Sequence, residues 1–398
     1  MTTPAIPGVR IASVAAGIRY RDRNDLVLLE LPEGATTAAT FTRNAFCAAP
    51  VSVARAHLAG ADPRFLLINA GNANAGTGER GLADARACCA ALADLVGCEP
   101  EQVLPFSTGV IGEYLPIDEI IRCLPDALAQ LSGAGWDAAS RAIMTTDTVP
   151  KVAARRFVVD GRSATLVGIA KGAGMIRPDM ATMLAFLTTD AAVEKALLQQ
   201  CLGQSVDNSF NCISIDGDTS TNDACVLCAA GTLGNSPVAA MDGADGATLF
   251  AAVNGVCDEL ATAIVRDGEG ATKLVSVVVR DARTVSEART VADTIAHSPL
   301  VKTALFASDP NWGRILAAVG RAGLADLVIE RVRIWLDDCL LVSSGGRDPG
   351  YAEDDGRRVM AQERFTIGVS LGRGEAAARV LTCDLSYDYV RINAEYRS

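Results

Sequence analysis

The chain has 398 residues, 49% of them hydrophobic, which is enough for two or three domains of about 100 to 200 residues and a sizeable buried core. A formal net charge of -11 and a pI near 4.8, spread along the chain with no Lys/Arg stripe interleaved with aromatics, speak against a nucleic-acid partner and for an acidic, solvated surface. No segment approaches about 18 consecutive apolar residues, and the amino-terminal MTTPAIPGVRIAS lacks the regions of a signal peptide, so the expectation is a cytoplasmic protein that does not enter a membrane.

In chain order, DLVLLELP (25–32) and RFLLINAG (64–71) read as strands, and Leu82, Ala85, Cys89, Leu92 and Val96 recur at the three- and four-residue spacing of an amphipathic helix. Further on, Leu249, Val253, Val256, Leu260 and Ile264 mark a second helix, and TKLVSVVVRD (272–281) and RFTIGVSLGRG (364–374) read as strands. The chain is therefore α+β, without solenoid repeats, low-complexity tracts or a long linker. Its twelve cysteines are scattered among apolar neighbours, as buried free thiols in a reducing compartment would be. Cys225 and Cys228 form one C-x-x-C, but no second cysteine pair or nearby histidine completes a metal site. The two histidines, His57 and His297, lie in no recognisable catalytic context and are expected to be structural or superficial.

One stretch breaks the pattern. LVGIAKGAGMIRPDMATMLAFLTTDAAV (166–193) runs from a strand through Gly172, Gly174 and Pro178 into another apolar run. A tight β-connection explains the glycines and the proline. A second reading concerns Thr182. A threonine hydroxyl needs a base, and histidine is scarce here; a threonine freed by cleavage of the preceding peptide supplies its own α-amine, with a pKa of about 7.7 to 8.0. The small Ala181 would leave the scissile carbonyl accessible. Spacing alone does not choose between the two readings.

KGAGMIRPDMATML (Lys171 to Leu184) resembles the cleavage-site segment of the glutamate N-acetyltransferase (ornithine acetyltransferase) family. The likeness extends along nearly the whole chain. It runs through NAGNANAGTGERG (69–81), STGVIG (107–112), IMTTDTVPK (143–151), SFNCISIDGDTSTND (209–223), RDGEGATK (266–273), SDPNWGRI (308–315) and the terminal YDYVRINAEYRS. The resemblance implies a layered αββα-type sandwich with interleaved strands from two fragments, an alpha fragment 1–181 and a beta fragment 182–398. It implies cleavage between Ala181 and Thr182, Thr182 as nucleophile, and Thr108 and Gly109 as the oxyanion donors that acyl transfer needs. Substrate contacts are implied at Thr145, Lys171, Thr182, Glu269, Asn393 and Ser398. As alternatives, Lys171 and Glu269 could be ordinary exposed charges, Asn393 a strand-end residue, and Thr108–Gly109 a strand-to-loop turn.

The implied reaction moves an acetyl group from N2-acetylornithine to glutamate through acetyl-Thr182, in a ping-pong exchange that demands no metal or organic cofactor. Lys171 and Glu269 suit a substrate bearing a carboxylate and an ammonium. Family members usually assemble as heterotetramers of two alpha and two beta fragments, and some accept acetyl-CoA; no glycine-rich pyrophosphate loop indicates that second activity here. Two departures stand out. Gly76 replaces a frequent Cys, and Asp179 replaces a frequent Asn, adding a negative charge that would slow maturation or make it pH-dependent. The rival readings are a self-processing aminopeptidase or amidase of similar architecture and a non-catalytic scaffold.

Overall fold

The computed structural model describes residues 3–177 and 183–396. The described residues divide into two compact units, the first holding residues 3–172, 183–211 and 218–264, the second 173–177, 212–217 and 265–396.

The first unit is built on two sheets. One runs β1 (Arg10–Val14), β2 (Leu26–Glu30), β4 (Phe65–Asn72), β5 (Val103–Val110), antiparallel except that β5 lies parallel to β4. The other runs β3 (Thr36–Phe41), β10 (Ala224–Ala229), β8 (Leu184–Thr189), β7 (Arg162–Lys171), β6 (Lys151–Val159). Alternate side chains of each strand meet between the sheets. Val27, Leu29, Leu66, Ile68 and Phe106 pack with Val167, Ile169, Phe186 and Val226. Phe106 and Phe186 meet edge to face, centroids 5.0 Å apart, a geometry that adds about 0.5–1.5 kcal/mol beyond burial. The other face of the first sheet, with Leu26, Leu28 and Leu67, packs on α2 (Gly78–Val96) and α3 (Ile117–Ala129) through Cys88, Cys89, Leu92, Ile120 and Leu124. α1 (Ala49–Gly60) adds Val53 to that layer, and α4 (Trp136–Ala142) adds Trp136 to the core between the sheets.

Outside the second sheet lie α5 (Lys195–Asn208), against β3 and β10, and α6 (Ala244–Arg266). Gly168 of β7 makes room for α6: a Cβ there would stand 2.9 Å from Val256 and 3.1 Å from Leu260. The layer order αββα follows the sequence expectation. The absence of any long apolar segment does not hold, because α6 is long and apolar enough by length and composition to cross a membrane. Leu249, Val253, Val256, Leu260 and Ile264 are nevertheless all buried, at the spacing of a core-facing helix.

The interleaving is visible in the second sheet. β3, β7 and β6 precede residue 181 and β8 and β10 follow it, yet β10 and β8 lie between β3 and β7.

The second unit carries a seven-stranded sheet in the order β14 (Gly346–Arg347), β13 (Cys339–Ser343), β12 (Arg333–Leu336), β15 (Arg364–Ser370), β11 (Leu274–Ala282), β16 (Ala376–Cys383), β9 (Ile213–Ser214). Val275, Val277 and Val279 alternate into a core shared with Val291 and Ile295 of α7 (Val285–Ala296). α8 (Pro299–Phe306), α9 (Trp312–Gly320) and α10 (Glu353–Met360) complete that core with Val301, Ile315 and Val359. Side chains start these helices: Thr284 accepts from Glu287 N–H ahead of α7, and Ser298 from Val301 N–H ahead of α8. α11 (Tyr387–Ala394) begins at Ser386, which accepts from Asp388 N–H, and buries no residue.

Candidate active site

In the first unit, Thr108 and Gly109 lie inside β5, where pairing with β4 turns irregular at Gly71 and Asn72; they are not a strand-to-loop turn. Gly109 has φ +137°, and a Cβ there would stand 2.2 Å from Gly71 C and 2.5 Å from Asn72 N. Only glycine fits that approach. Around it the asparagine-rich motif becomes a web of buried amides. Ser107 Oγ donates to Asn69 Oδ1 (2.5 Å), and Asn69 Nδ2 donates to Asn72 O (2.9 Å). Asn222 Nδ2 donates to both Ala73 O (2.6 Å) and Ser107 O (2.9 Å). Because Ser107 C=O and Thr108 N–H belong to one planar peptide, Asn222 fixes the orientation of the strand end that carries Thr108 and Gly109.

A second cluster in this unit holds Lys171, the last residue of β7 and only 7% exposed. Asp147 organises it. The Asp147 carboxylate accepts from Lys151 Nζ (2.6 Å), Gly172 N (2.7 Å) and Thr145 N (3.0 Å). Burial alone would raise the pKa of Asp147, but the charges of Lys171 and Lys151 and the hydrogen bonds from Gly172 and Lys151 prevail and hold it at about 2. Thr145, Lys171 and the backbone at Gly172 are thus tied to one buried anion. Leu184, two residues beyond Thr182, pairs with Lys171 across β7 and β8.

In the second unit, Glu269 is 8% exposed. Its N–H donates to Ala173 O (2.7 Å), and its carboxylate accepts from Asn393 Nδ2 (2.7 Å). A Cβ on Gly174 would stand 2.4 Å from that carboxylate, so bare backbone passes over the acid. Asn393 lies on α11, not at a strand end, and Lys171 and Glu269 are buried charges, not exposed ones. Asp216 accepts from Met175 N (2.6 Å) and Ile176 N (2.9 Å) and from Tyr389 Oη (3.3 Å). Ala181, Thr182 and Ser398, together with the Asp179 departure, lie outside the described residues.

Residues 10–398 match the ArgJ family. The arginine biosynthesis bifunctional protein ArgJ of Methylococcus capsulatus is 60% identical over 393 residues, which are 99% of this chain and 96% of that protein. The chain belongs to the ArgJ family. It is accordingly an acetyltransferase of arginine biosynthesis. Among solved structures, the arginine biosynthesis bifunctional protein ArgJ of Bacillus halodurans matches with TM-score 0.51 and 39% identity, covering 54% of this chain and all of that one. The ornithine acetyltransferase of Mycobacterium tuberculosis, solved with ornithine, matches with TM-score 0.37 and 32% identity over 44% of this chain and 93% of that one.

For a member of the ArgJ family, several residues of the site lay unread inside motifs already quoted: Asp147 and Lys151 in IMTTDTVPK, Asp216 and Asn222 in SFNCISIDGDTSTND. The signal of Asp147, Lys151 and Asn222 is burial of a polar side chain, and that of Asp216 the backbone donors it collects, neither of which a single sequence displays. His57 is structural, its Nδ1 lying 2.8 Å from Val103 O. His297 is half-buried, and its buried Nε2 has no hydrogen-bond partner; burial, reinforced by Arg177, Lys302 and Arg321, lowers its pKa to about 4. None of the twelve cysteines is in a disulfide, and burial pushes Cys88, Cys201 and Cys228 up to about 12. Cys225 and Cys228 sit three apart on β10, hence on opposite faces, so they form no dithiol site. Among the described residues, no group of three or more His, Cys, Asp or Glu could hold a metal ion.

Proposed function

We propose that the chain cuts itself between Ala181 and Thr182 and then transfers the acetyl group of N2-acetylornithine to glutamate through acetyl-Thr182. The Thr182 hydroxyl attacks the acetyl carbonyl while its own α-amine takes the proton. Thr108 and Gly109 steady the oxyanion; a single such donor is worth about 2.7–4 kcal/mol in known cases. The C–N bond breaks, and the α-amine returns the proton to the departing ornithine amine. Glutamate's amine then attacks the ester and leaves as N-acetylglutamate, restoring the hydroxyl. One amide replaces another, so the exchange calls for no cofactor.

The observation that carries this reading is the pair of buried charges, Lys171 and Glu269, on residues that match the family pattern. Two buried charges of opposite sign suit an α-amino acid with a side-chain ammonium, which offers both signs. Thr145, Asn393 and Ser398 complete the proposed contacts. Fragments 1–181 and 182–398 would stay together after the cut because their strands alternate in one sheet. We further assign a heterotetramer of two alpha and two beta fragments acting in the cytoplasm. The word "bifunctional" in the name of the Methylococcus capsulatus protein is the reason to propose acetyl-CoA as a second donor.

Incubating the cut protein with N2-acetylornithine should trap one acetyl group on Thr182, and initial-rate plots against glutamate should be parallel. Release of free acetate in place of N-acetylglutamate would assign the site to a hydrolase instead.

A further inference from the structure

We infer that Asp216 is a positioning residue for both the self-cleavage and the substrate site, a role that rests on the reading of Thr182 as a self-processing nucleophile. Met175 has φ +56°, a conformation unfavourable for a side chain of its kind. Its side chain is 39% exposed, so packing does not hold it there. What holds it is residues 214–216. The Asp216 carboxylate takes both successive N–H groups, Met175 through Oδ2 and Ile176 through Oδ1. Ile176 O in turn accepts from Ile215 N (2.9 Å) and Ser214 Oγ (3.2 Å). The strained turn six residues upstream of Ala181 is thus clamped on its donor and acceptor sides, and it sets Gly174 against the Glu269 carboxylate.

The same carboxylate accepts from Tyr389 Oη, one turn ahead of Asn393 on α11. No residue of that helix is fully buried; it is seated by the Tyr387 ring, edge to face with Phe306 (centroids 5.6 Å apart), and by polar contacts: Ser386 Oγ on Gly270 O (2.6 Å), Tyr389 on Asp216, and Asn393 on Glu269. Asp216 therefore joins the segment that must be bent for cleavage to the helix that steadies the substrate-facing acid. An Asn at this position offers one acceptor oxygen and turns its NH2 toward a donor, so Met175 and Ile176 N–H cannot both be satisfied.

The test uses the full chain with Asp216→Asn, Asp216→Asn/Met175→Gly and Tyr389→Phe, following the cut fraction over time by intact mass and then KM and kcat for N2-acetylornithine. Asp216→Asn should slow cutting roughly tenfold and raise KM by a similar factor with kcat little changed. Adding Met175→Gly, which removes the strain, should recover cutting but not KM, a split that a merely structural role would not produce. Tyr389→Phe should cut at the wild-type rate and raise KM severalfold. Wild-type cutting and KM in Asp216→Asn, or no recovery in the double variant, overturns the proposal. If Asp216→Asn fails to fold, an unchanged KM in Tyr389→Phe overturns it. An uncut wild type, or a cut Thr182→Ala, sinks the underlying reading and is separate from all of these.

Discussion

The two units hold their candidate substrate-facing charges in opposite ways. In the first unit, Lys171 ends a strand that is paired on both sides, and its neighbourhood is set by Asp147, whose salt bridge to Lys151 is almost wholly buried. In the second unit, Glu269 meets Asn393 on a helix with no fully buried residue, through a single amide-to-carboxylate contact. A charge held by sheet register cannot shift without breaking ladder hydrogen bonds, whereas a side chain on a peripheral helix can be lost at little cost to the fold. The comparison teaches that fold stability and substrate recognition are bound together in the first unit and separable in the second.

The most severe way to probe that contrast is Asp147→Ala. It strands a buried ammonium, and removing one partner of a buried pair costs about 3–5 kcal/mol, measurable by urea unfolding. The sign with pH follows from the lowered pKa. The Asp147 contribution is complete above the unfolded carboxylate pKa of about 3.9 and is lost as pH falls through about 2, so wild type should weaken more than the variant across that window. Asn222→Ala comes next. It leaves Ala73 O and Ser107 O buried without this donor, at about 1–3 kcal/mol, and should lower kcat more than it raises KM because it loosens the Thr108–Gly109 strand end.

His297 sharpens the second unit. A histidine pKa lowered to about 4 means that folding favours the neutral ring, so this contribution to stability is present above about 6.5 and lost as pH falls from about 6.5 to 4. Melting curves of wild type and His297→Gln should diverge by about 1–2 kcal/mol over that window. The smallest effect on the fold is Asn393→Ala, within about 1 kcal/mol of wild type in unfolding but with KM for N2-acetylornithine raised. A loss of stability as large as that of Asp147→Ala would dissolve the contrast between the halves.

Much of this architecture was legible in the sequence. Alternating Val275, Val277 and Val279 gave a strand, and Leu249 through Ile264 gave a helix, because burial on one face leaves a period in the chain. The interleaved sheet left no such mark and came only with the family resemblance, since strand order is a property of distant pairings. The family pattern marks Lys171 and Glu269, whereas nothing in the local sequence marks Asp147, Asp216 and Asn222. A carboxylate or amide in a loop-like run looks the same whether it faces water or collects backbone donors. Asn393 is instructive in another way: the alternation in YDYVRIN suits a strand, yet Ser386 caps Asp388 N–H and starts a helix.

The most direct test of the central claim is intact mass and amino-terminal sequencing of purified wild type beside Thr182→Ala. Two wild-type fragments meeting at Ala181 and Thr182, with the variant in one piece, are the predicted result. A single uncut wild-type chain that still transfers acetyl groups would contradict the account, because Thr182 would then have no α-amine to act as its base.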